Sequence, residues 1–343
     1  MENRSLNIII EKHVPFLAGL LEPYANVRYL DSAEIDEEKM RSTDALITRT
    51  RTRCDRSMLE LSRCSFIGTA TIGTDHIDTA YCAERHIAVV NAPGCNAPAV
   101  AQYVMSSIVH MANRPLSQYT LGIVGVGHVG SIVEKWAKAF DMRVLVCDPP
   151  RERAEGGDSW SSLDRIAAES DIITFHTPLT KDGDDATWHM ADASFFDKLR
   201  RAPIIINSAR GPVVDTEALI EALDSGKVSK AVIDCWEGEP AISTELLRRA
   251  AIATPHIAGY SHEGKVRASQ MVLDALTNFF TLPRISLGMN VSMRVPSSVR
   301  VVDLVQTCNP MTDTAALKAN PENFEQMRDN YKYRTEVKGG KID

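Results

Sequence analysis

Three ionisable side chains follow short apolar runs late in the sequence, and their types suit the oxidation of an alcohol. Arg210 follows IIINSA, Glu239 follows VIDCWEG and His256 follows IATP. An arginine offers a planar fork of donors that fits a carboxylate, and a histidine, with an ordinary pKa of about 6.5, exchanges protons near neutral pH. A glutamate can hydrogen-bond the second ring nitrogen and orient the imidazole. Such a set fits hydride transfer from a secondary alcohol, which needs a base and a substrate anchor.

Each residue also has a purely structural interpretation. Arg210 could be a surface cation, Glu239 a helix cap and His256 a hydrogen-bonded residue at a strand end. His176 follows another apolar run and competes with His256 for the role of base. The TPL sequence that comes next instead favours a segment in which Thr177 borders a cofactor.

A glycine-rich loop lies upstream of these residues. Gly125, Gly127 and Gly130 form G-x-G-x-x-G between an apolar run and an amphipathic stretch, and Asp148 ends the next run about 20 residues later. Such a loop lets the backbone approach a pyrophosphate at a helix N-terminus, and the carboxylate accepts hydrogen bonds from ribose hydroxyls while repelling a 2′-phosphate. The pattern predicts NAD as cofactor. The alternative is a glycine turn that only packs a helix on a strand.

The segments that must position these residues alternate between apolar strands and helices, which indicates parallel α/β sheets. Helices are predicted at 97–114, 263–280 and about 322–334. Strands are predicted at 6–10, 44–48, 66–70 and 87–91, and then at 120–126, 143–148, 171–177, 203–209, 230–236 and 251–256. Arg210, Glu239 and His256 follow the carboxyl ends of late strands, where open α/β sheets bind ligands.

The bulk composition excludes several classes of protein. The chain has 343 residues and a net charge of −7, without the basic excess typical of nucleic-acid binding. It contains no apolar run long enough to span a membrane. Its seven scattered cysteines lack close metal-ligand spacing and indicate reduced thiols in a cytoplasm, so we expect no metal site.

Three blocks resemble the signature segments of the D-isomer-specific 2-hydroxyacid dehydrogenases: INSARGPVVD (206–215), DCWEGEP (234–240) and TPHIAGY (254–260). The resemblance covers about residues 5–282. It implies a flavodoxin-like substrate domain and a Rossmann NAD domain, both doubly wound, with a cleft between them that closes during catalysis. It also implies that Arg210, Glu239 and His256 are the catalytic residues.

A narrower resemblance is to a branch of this family that oxidises a phosphorylated four-carbon 2-hydroxy acid. It rests on GTATIGTDHID (68–78), NAPGCNAPAV (91–100), VCDPPR (146–151), FHTPLTKDG (175–183) and HIAGYSHEGK (256–265). The tail FEQMRDNYKYR (324–334) is similar to that branch's C-terminal α+β dimerisation segment and implies a homodimer. The implied domains are 1–93 with 262–283 for substrate, 94–261 for NAD and 284–343 for dimerisation. The implied substrate contacts are Thr50, Thr71 and Tyr260. The implied cofactor contacts are Gly125, Gly127, His128, Val129, Gly130, Asp148, Thr177, Ser208, Asp234 and Gly259.

A substrate with a carboxylate and a phosphate needs more than one cation. TRTRTRCDR (48–56) places several arginines after a first-domain strand. Strand alternation would send Arg49, Arg51 and Arg53 to one side and Thr50 to the other, and Arg49 is the preferred phosphate ligand. A solvated basic loop is the alternative. Gln102 departs from the branch, in which a glutamate is expected.

The motifs predict an NAD-dependent dehydrogenase of a 2-hydroxy acid, and the narrower resemblance implies a phosphorylated substrate and a place in the synthesis of pyridoxal phosphate. One alternative is a dehydrogenase of another D-2-hydroxy acid, such as 3-phosphoglycerate or glycerate. Another is an NAD(H)-sensing protein that resembles the corepressors of this fold, which bind peptides. No nucleic acid and no membrane is expected as a partner.

Overall fold

The computed structural model describes residues 5–289 and 292–338. The strands are β1 Leu6–Glu11, β2 Ala25–Leu30, β3 Ala45–Thr48, β4 Phe66–Thr69, β5 Ala88–Val90, β6 Thr120–Val124, β7 Arg143–Cys147, β8 Ile172–Phe175, β9 Ile204–Asn207, β10 Lys230–Ile233 and β11 Ile252–Ala253. The α-helices are α1 Glu37–Met40, α2 Arg56–Leu59, α3 Thr79–Glu84, α4 Ala97–Met111, α5 His128–Ala139, α6 Pro149–Glu155, α7 Leu163–Glu169, α8 Ala193–Asp197, α9 Thr216–Asp224, α10 Thr244–Arg249, α11 His262–Phe279, α12 Val301–Thr307, α13 Pro310–Ala319 and α14 Phe324–Asp329.

The chain divides into two compact units. The first comprises Met1–Asn96 and His262–Met293, and the second comprises Ala97–Ser261 and Arg294–Asp343. The predicted parallel-sheet fold is confirmed in both units, because every strand pair within the two sheets is parallel.

The first unit is built on a five-stranded sheet in the order β2-β1-β3-β4-β5. Its central strands β1, β3 and β4 are mostly apolar and buried, because both faces of the sheet are covered. Helix α11 packs on one face, where a Cβ on Gly68 would lie 2.5 Å from Cγ1 of Val272, so this close approach requires glycine. Strand β2 was not predicted, because Asn26 and Arg28 interrupt its apolar pattern at the edge of the sheet.

The second unit contains a six-stranded sheet in the order β11-β10-β9-β8-β6-β7. All six strands that the sequence predicts in this unit are present. Helices α4 and α5 pack on one face around Tyr103 and Trp136, and the opposite face packs around Phe175, Phe196 and Leu219. The chain leaves β6 for β7 and returns to β8 on the other side of β6. The reversal creates a switch point, where sheets of this kind bind ligands.

The C-terminal segment contains helices α12, α13 and α14. The predicted helix at 322–334 is shorter, because α14 ends at Asp329, and neither α12 nor α13 was predicted. The Thr314 hydroxyl on α13 accepts the Ala253 N–H at 3.0 Å, which covers the edge strand β11. In the described part of this segment, β-type pairing is limited to a single bridge between Ser261 and Arg334.

None of the seven cysteines forms a disulfide within the described ranges. Among the described residues, no helix combines the length and the apolar character that crossing a bilayer requires.

Candidate active site

The imidazole of His256 and the carboxylate of Glu239 are paired. Nδ1 of His256 lies 2.8 Å from Oε2 of Glu239. The second carboxylate oxygen accepts the backbone N–H of Trp236 at 2.7 Å, so both oxygens of Glu239 have defined partners. The side chains of His256 and Glu239 are 30% and 18% exposed. The pair is therefore shielded, yet the ring still reaches solvent.

The carboxylate of Asp234 binds the turn that carries His256. This carboxylate is almost completely buried and accepts hydrogen bonds from the Thr254 hydroxyl at 2.6 Å and from the N–H groups of Ile257 and Ala258 at 2.8 and 3.0 Å. His256 itself has a φ of +54°, a conformation that costs free energy for a residue with a Cβ. The network around Asp234 stabilises this conformation and fixes where the imidazole points.

The charges around the imidazole favour its protonated form. Burial lowers the pKa of His256, but the Cys235 sulfur and the Glu239 carboxylate act in the opposite direction, and the pKa lies well above its ordinary value. Burial also raises the pKa of the Cys235 thiol, which keeps that group neutral, so Glu239 supplies the lasting charge. Burial likewise raises the pKa of the Glu239 carboxyl, but the His256 charge outweighs it and the net pKa is lowered.

Cys235, Glu239 and His256 also form a group of the metal-ligand type. Their ligand atoms lie within 4.8 Å of one another. A metal ion there would have to displace the proton that His256 and Glu239 share, and it would need the thiolate form of a cysteine whose pKa is raised. The arrangement suits proton transfer better than metal binding.

Arg210 lies in the turn after β9, and the side chain of Asn207 holds the backbone of this turn. The Asn207 amide donates to the Arg210 carbonyl at 2.9 Å and to the Cys235 carbonyl at 3.4 Å, which ties the turns after β9 and β10 together. A Cβ on Gly211 would lie 1.9 Å from the Trp236 carbonyl oxygen, so only glycine allows these turns to approach so closely. The guanidinium is half-buried, and its Nη1 donates to the Ala209 carbonyl at 2.8 Å.

The three glycines of the loop have different surroundings. Gly125 has a φ of +88° and lies against the backbone of His176 and Thr177, and a Cβ on Gly130 would lie 2.1 Å from the Gly125 carbonyl oxygen. A Cβ on Gly127, in contrast, would meet nothing within 4 Å. Gly127 is the residue before α5, so open space lies at the N-terminus of this 12-residue helix. An anion can approach the helix there.

Two buried hydroxyls at the carboxyl edge of the same sheet have no hydrogen-bond partner within the described ranges. They are Oγ1 of Thr177, beyond β8, and Oγ of Ser208, beyond β9. Unsatisfied buried polar groups are costly, and a bound ligand is one way to satisfy them. Both residues were predicted from the sequence to contact the cofactor. The open Gly127 and these hydroxyls fit a dinucleotide.

Asp148 follows β7, and its carboxylate already has partners. Oδ2 accepts the Val126 N–H of the glycine loop at 2.7 Å, and Oδ1 accepts the Arg151 N–H at 3.1 Å as the N-cap of α6. The Arg151 guanidinium also donates to the Val126 carbonyl. Asp148 therefore sets the shape of the glycine loop.

His176 does not have the surroundings of a general base. Its Nε2 lies 3.1 Å from the Thr174 hydroxyl, and burial lowers its pKa to about 3. The ring stays neutral across the physiological range and is a poor proton acceptor. This difference favours His256 over His176.

The first-unit residues that were predicted to bind substrate follow adjacent strands of that unit's sheet. Thr50 is exposed beyond β3, and Thr71, beyond β4, bonds the Thr69 hydroxyl at 2.7 Å. The predicted alternation of the arginines is wrong, because the strand ends at Thr48. Arg49 is buried beneath the turn, where its Nη1 donates to the His13 carbonyl at 3.3 Å, whereas Arg53 is exposed.

The remaining predicted residues lie in the second unit. His128 and Val129 open α5, and Gly259 and Tyr260 follow His256. The Tyr260 ring is buried edge-on against Tyr331 and Tyr333, with centroid separations of 5.9 and 6.2 Å.

Sequence reasoning did not identify Trp236, Asn207 or Arg334 as parts of this site. Trp236 and Asn207 lie inside the signature blocks, but their roles depend on backbone geometry that no spacing rule gives. Arg334 lies outside those blocks, 78 residues after His256 in the chain.

Comparisons with known proteins agree with this geometry. Residues 90–258 match the family described as the D-isomer specific 2-hydroxyacid dehydrogenase, NAD binding domain. The erythronate-4-phosphate dehydrogenase of Bacteroides thetaiotaomicron is 46% identical over 98% of this chain and 99% of its own length. That of Porphyromonas gingivalis is 40% identical over 97% and 94%.

Solved structures share the architecture. The D-lactate dehydrogenase of Aquifex aeolicus, complexed with NAD and lactic acid, superposes with a TM-score of 0.70 at 25% identity and covers 83% of this chain and 100% of its own. The NAD+-bound 3-phosphoglycerate dehydrogenase of Entamoeba histolytica has a TM-score of 0.70 at 24% identity over 84% and 99%, which supports the fold.

The chain belongs to the D-isomer-specific 2-hydroxyacid dehydrogenase family, an NAD-binding family of oxidoreductases. Within it, the relatives that match nearly the whole length of the chain carry the name erythronate-4-phosphate dehydrogenase.

Proposed function

We propose that this protein oxidises 4-phospho-D-erythronate at C2 to (R)-3-hydroxy-2-oxo-4-phosphooxybutanoate with NAD+, a step towards pyridoxal 5′-phosphate. The observation that carries the proposal is the contact between His256 and Glu239 at the carboxyl end of the NAD-domain sheet. The names of the relatives support the choice of substrate.

In the proposed reaction, His256 is the base. The neutral ring takes the C2 hydroxyl proton while the hydrogen at C2 leaves with its electron pair, and a C=O bond forms. When bound, the nicotinamide supplies the acceptor for that hydride. Glu239 stabilises the imidazolium that results, because its carboxylate lies 2.8 Å from Nδ1. In the reverse direction the protonated ring returns the proton.

Arg210 is proposed to hold the substrate carboxylate and to stabilise charge on the developing carbonyl oxygen. A guanidinium can serve both oxygens of a carboxylate at once. Its backbone is fixed by Asn207 and Gly211 in the turn next to the one that carries Glu239. Fixed geometry of this kind reduces the entropic cost of orienting the substrate.

The cofactor is proposed to lie over the glycine loop, with its pyrophosphate at Gly127 and the N-terminus of α5. Gly125, His128, Val129 and Gly130 shape that loop. The partnerless hydroxyls of Thr177 and Ser208 are available to it. The proposed set of cofactor contacts also includes Asp148 and, further along the sheet edge, Asp234 and Gly259.

For the substrate, we propose contacts with Thr50 and Thr71 in the first unit, with Arg49 as the ligand of the phosphate group. Both threonine side chains follow the carboxyl ends of β3 and β4, which pair in parallel. In the second unit, Tyr260 is the proposed hydroxyl donor to the substrate.

The chain is further proposed to act in the cytoplasm as a homodimer through its C-terminal helices. The side chains of Val301, Val302 and Met311 on α12 and α13 are exposed. Large apolar side chains on a surface favour contacts between proteins, so these helices are the proposed dimer interface. Sedimentation velocity of the wild type and of Val302→Glu tests this: a dimer that the charge dissociates supports it, and a wild-type monomer contradicts it.

Initial rates of NAD+ reduction with four acids test the substrate. These are 4-phospho-D-erythronate, D-erythronate, 3-phospho-D-glycerate and D-glycerate. We expect kcat/KM for the first to exceed that for D-erythronate by about 100-fold or more, because a site built for a phosphate is left with unpaired groups by an analogue that lacks it. Preference for a glycerate would indicate another dehydrogenase. Tight NADH binding without turnover of any acid would indicate a sensing protein.

A further inference from the structure

The last described residues of the chain contact the turn that carries His256. Residues 331–337, which we call the C-terminal strap, pair with Ser261 through a β-bridge at Arg334. The Ser261 hydroxyl donates to Oε1 of Glu336 at 2.8 Å. The strap therefore lies directly against the end of the segment that begins at His256.

Arg334 binds four backbone carbonyls from its place in the strap. Its Nη1 donates to the carbonyl oxygens of Ile257 and Tyr260 at 3.1 and 3.3 Å, and its Nη2 donates to those of Ala258 and, at 3.0 Å, of Ala99 on α4. One guanidinium thus binds three carbonyls of the four-residue stretch after His256 and anchors them to a helix of the core.

These carbonyls and the N–H groups bound by Asp234 belong to the same turn. Asp234 accepts the N–H groups of Ile257 and Ala258, whereas Arg334 donates to the carbonyls of the same two residues. The turn is therefore held by a carboxylate on one side and by a guanidinium on the other. The strained φ of His256, +54°, lies immediately before it.

The strap has its own anchor in the core. The fully buried Gln102 on α4 donates through Nε2 to the Thr335 carbonyl at 3.2 Å and to the Thr307 hydroxyl at 2.6 Å. A glutamate at this position could not donate to a carbonyl. The departure from the expected glutamate is thus matched to the strap, which Gln102 binds at the residue after Arg334.

We propose that Arg334 is a positioning residue for the proposed reaction, holding the turn 257–260 so that His256 keeps its contact with Glu239 and meets the substrate. The inference rests on the proposed role of His256. Arg334 itself touches neither proton nor substrate; it acts through the carbonyls of the turn.

The test uses the full-length chain and the variants Arg334→Ala and Arg334→Lys. Arg300→Ala is the matched control, since Arg300 lies in the same C-terminal segment and pairs with Asp303 at 2.6 Å. The first measurement is the NMR titration of the His256 ring without ligands, assigned with His256→Asn. The other titratable or charged groups that act on the ring or on its carboxylate partner are Glu239, Cys235, Asp234 and Arg328, and none of them is changed. In Arg334→Ala we expect the titration to move towards the ordinary value of about 6.5, because the pair with Glu239 loosens.

The second measurement is steady-state kinetics. We expect kcat of Arg334→Ala to fall about 100-fold, as displacement by about 1 Å can do, with KM for NAD+ within about twofold. The Arg334→Lys variant keeps the charge but reaches fewer carbonyls, so its kcat should lie between those of the wild type and Arg334→Ala. Added guanidinium, at concentrations far below those that unfold proteins, should restore part of kcat to Arg334→Ala only.

These outcomes separate the inference from the proposed function. A wild-type enzyme that turns over none of the acids would refute the function, while the titration still tests Arg334. The inference is overturned if His256 titrates in Arg334→Ala as in Arg300→Ala, whatever happens to kcat. It is also overturned if guanidinium restores nothing while Arg334→Lys matches Arg334→Ala. If Arg334→Ala does not fold, Arg334→Lys carries both measurements.

Discussion

Nδ1 of His256 lies 2.8 Å from Oε2 of Glu239, and the same carboxylate is fixed by the Trp236 N–H at 2.7 Å. A pair built in this way does two things for a base. It fixes the orientation of the ring, and it raises the affinity of the ring for the proton that the substrate must lose.

The raised pKa of His256 gives the reaction a pH dependence. Oxidation needs the neutral ring, so kcat/KM for oxidation should rise with pH, with its midpoint above the ordinary value of about 6.5. Reduction of the 2-oxo acid needs the protonated ring and should fall over the same range. In Glu239→Gln the stabilising charge is gone, so both midpoints should move to lower pH and the oxidation plateau should fall about 100-fold. Rate profiles in both directions check this, and unmoved midpoints in Glu239→Gln would contradict it.

The close contact at Gly211 predicts that any side chain at this position will destabilise the protein. A Cβ there would lie 1.9 Å from the Trp236 carbonyl oxygen, so Gly211→Ala must separate the turns that carry Arg210 and Glu239. We expect a loss of about 2–3 kcal/mol in the free energy of unfolding, together with a lower kcat. Urea unfolding and kinetics measure both. Gly226→Ala is the control: its φ is +74° but nothing lies within 4 Å, so it should cost about 1 kcal/mol and leave kcat unchanged. Equal effects of the two changes would refute the steric account.

The negative charge of Asp148 should set the preference for NAD+ over NADP+. Asp148→Asn removes the charge that would repel a 2′-phosphate, and its single oxygen keeps only one of the two N–H contacts, with Arg151 or with Val126. The preference for NAD+ over NADP+ should fall at least about tenfold, equivalent to about 1.4 kcal/mol. The ratio of kcat/KM values for the two cofactors measures it. A ratio that stays as in the wild type would show that another residue sets the preference.

Removal of metals should leave the enzyme active. Cys235, Glu239 and His256 lie close enough for a metal, but the hydrogen bond of His256 to Glu239 already uses that space. After dialysis against a chelator we expect unchanged initial rates. A loss of activity that zinc alone restores would contradict proton transfer by this pair.

The predictable part of the fold is the part in which strands are largely apolar. The six NAD-domain strands are apolar and buried over most of their length, apart from ends such as Arg143 and Lys230, and such runs stand out in a sequence. Strand β2 does not stand out, because an edge strand with Asn26 and Arg28 has no such pattern. Helices α12 and α13 were missed for a related reason: they are short, and their burial depends on α4 and β11.

The site residues also divide into those that the sequence suggested and those that only the folded structure reveals. The residue types at the strand ends singled out Arg210, Glu239 and His256 as candidates, whereas the TPL segment and the family resemblance supplied Thr177 and Ser208, both of which have partnerless hydroxyls. The residue types alone left His176 as a competitor of His256, and only the resemblance favoured His256; the physical difference between them lies in burial and in the neighbouring carboxylate. Nor could it find Arg334, because its contacts with the catalytic turn are formed only after the chain has folded.

The most direct test of the account is His256→Asn. Hydride transfer should be measured in a single turnover of 4-phospho-D-erythronate with NAD+, and NADH binding by fluorescence titration. We expect hydride transfer to fall at least about 1,000-fold while the dissociation constant of NADH stays within about twofold, because the ring takes the proton but does not hold the cofactor. Hydride transfer at a rate close to that of the wild type would show that another group accepts the proton.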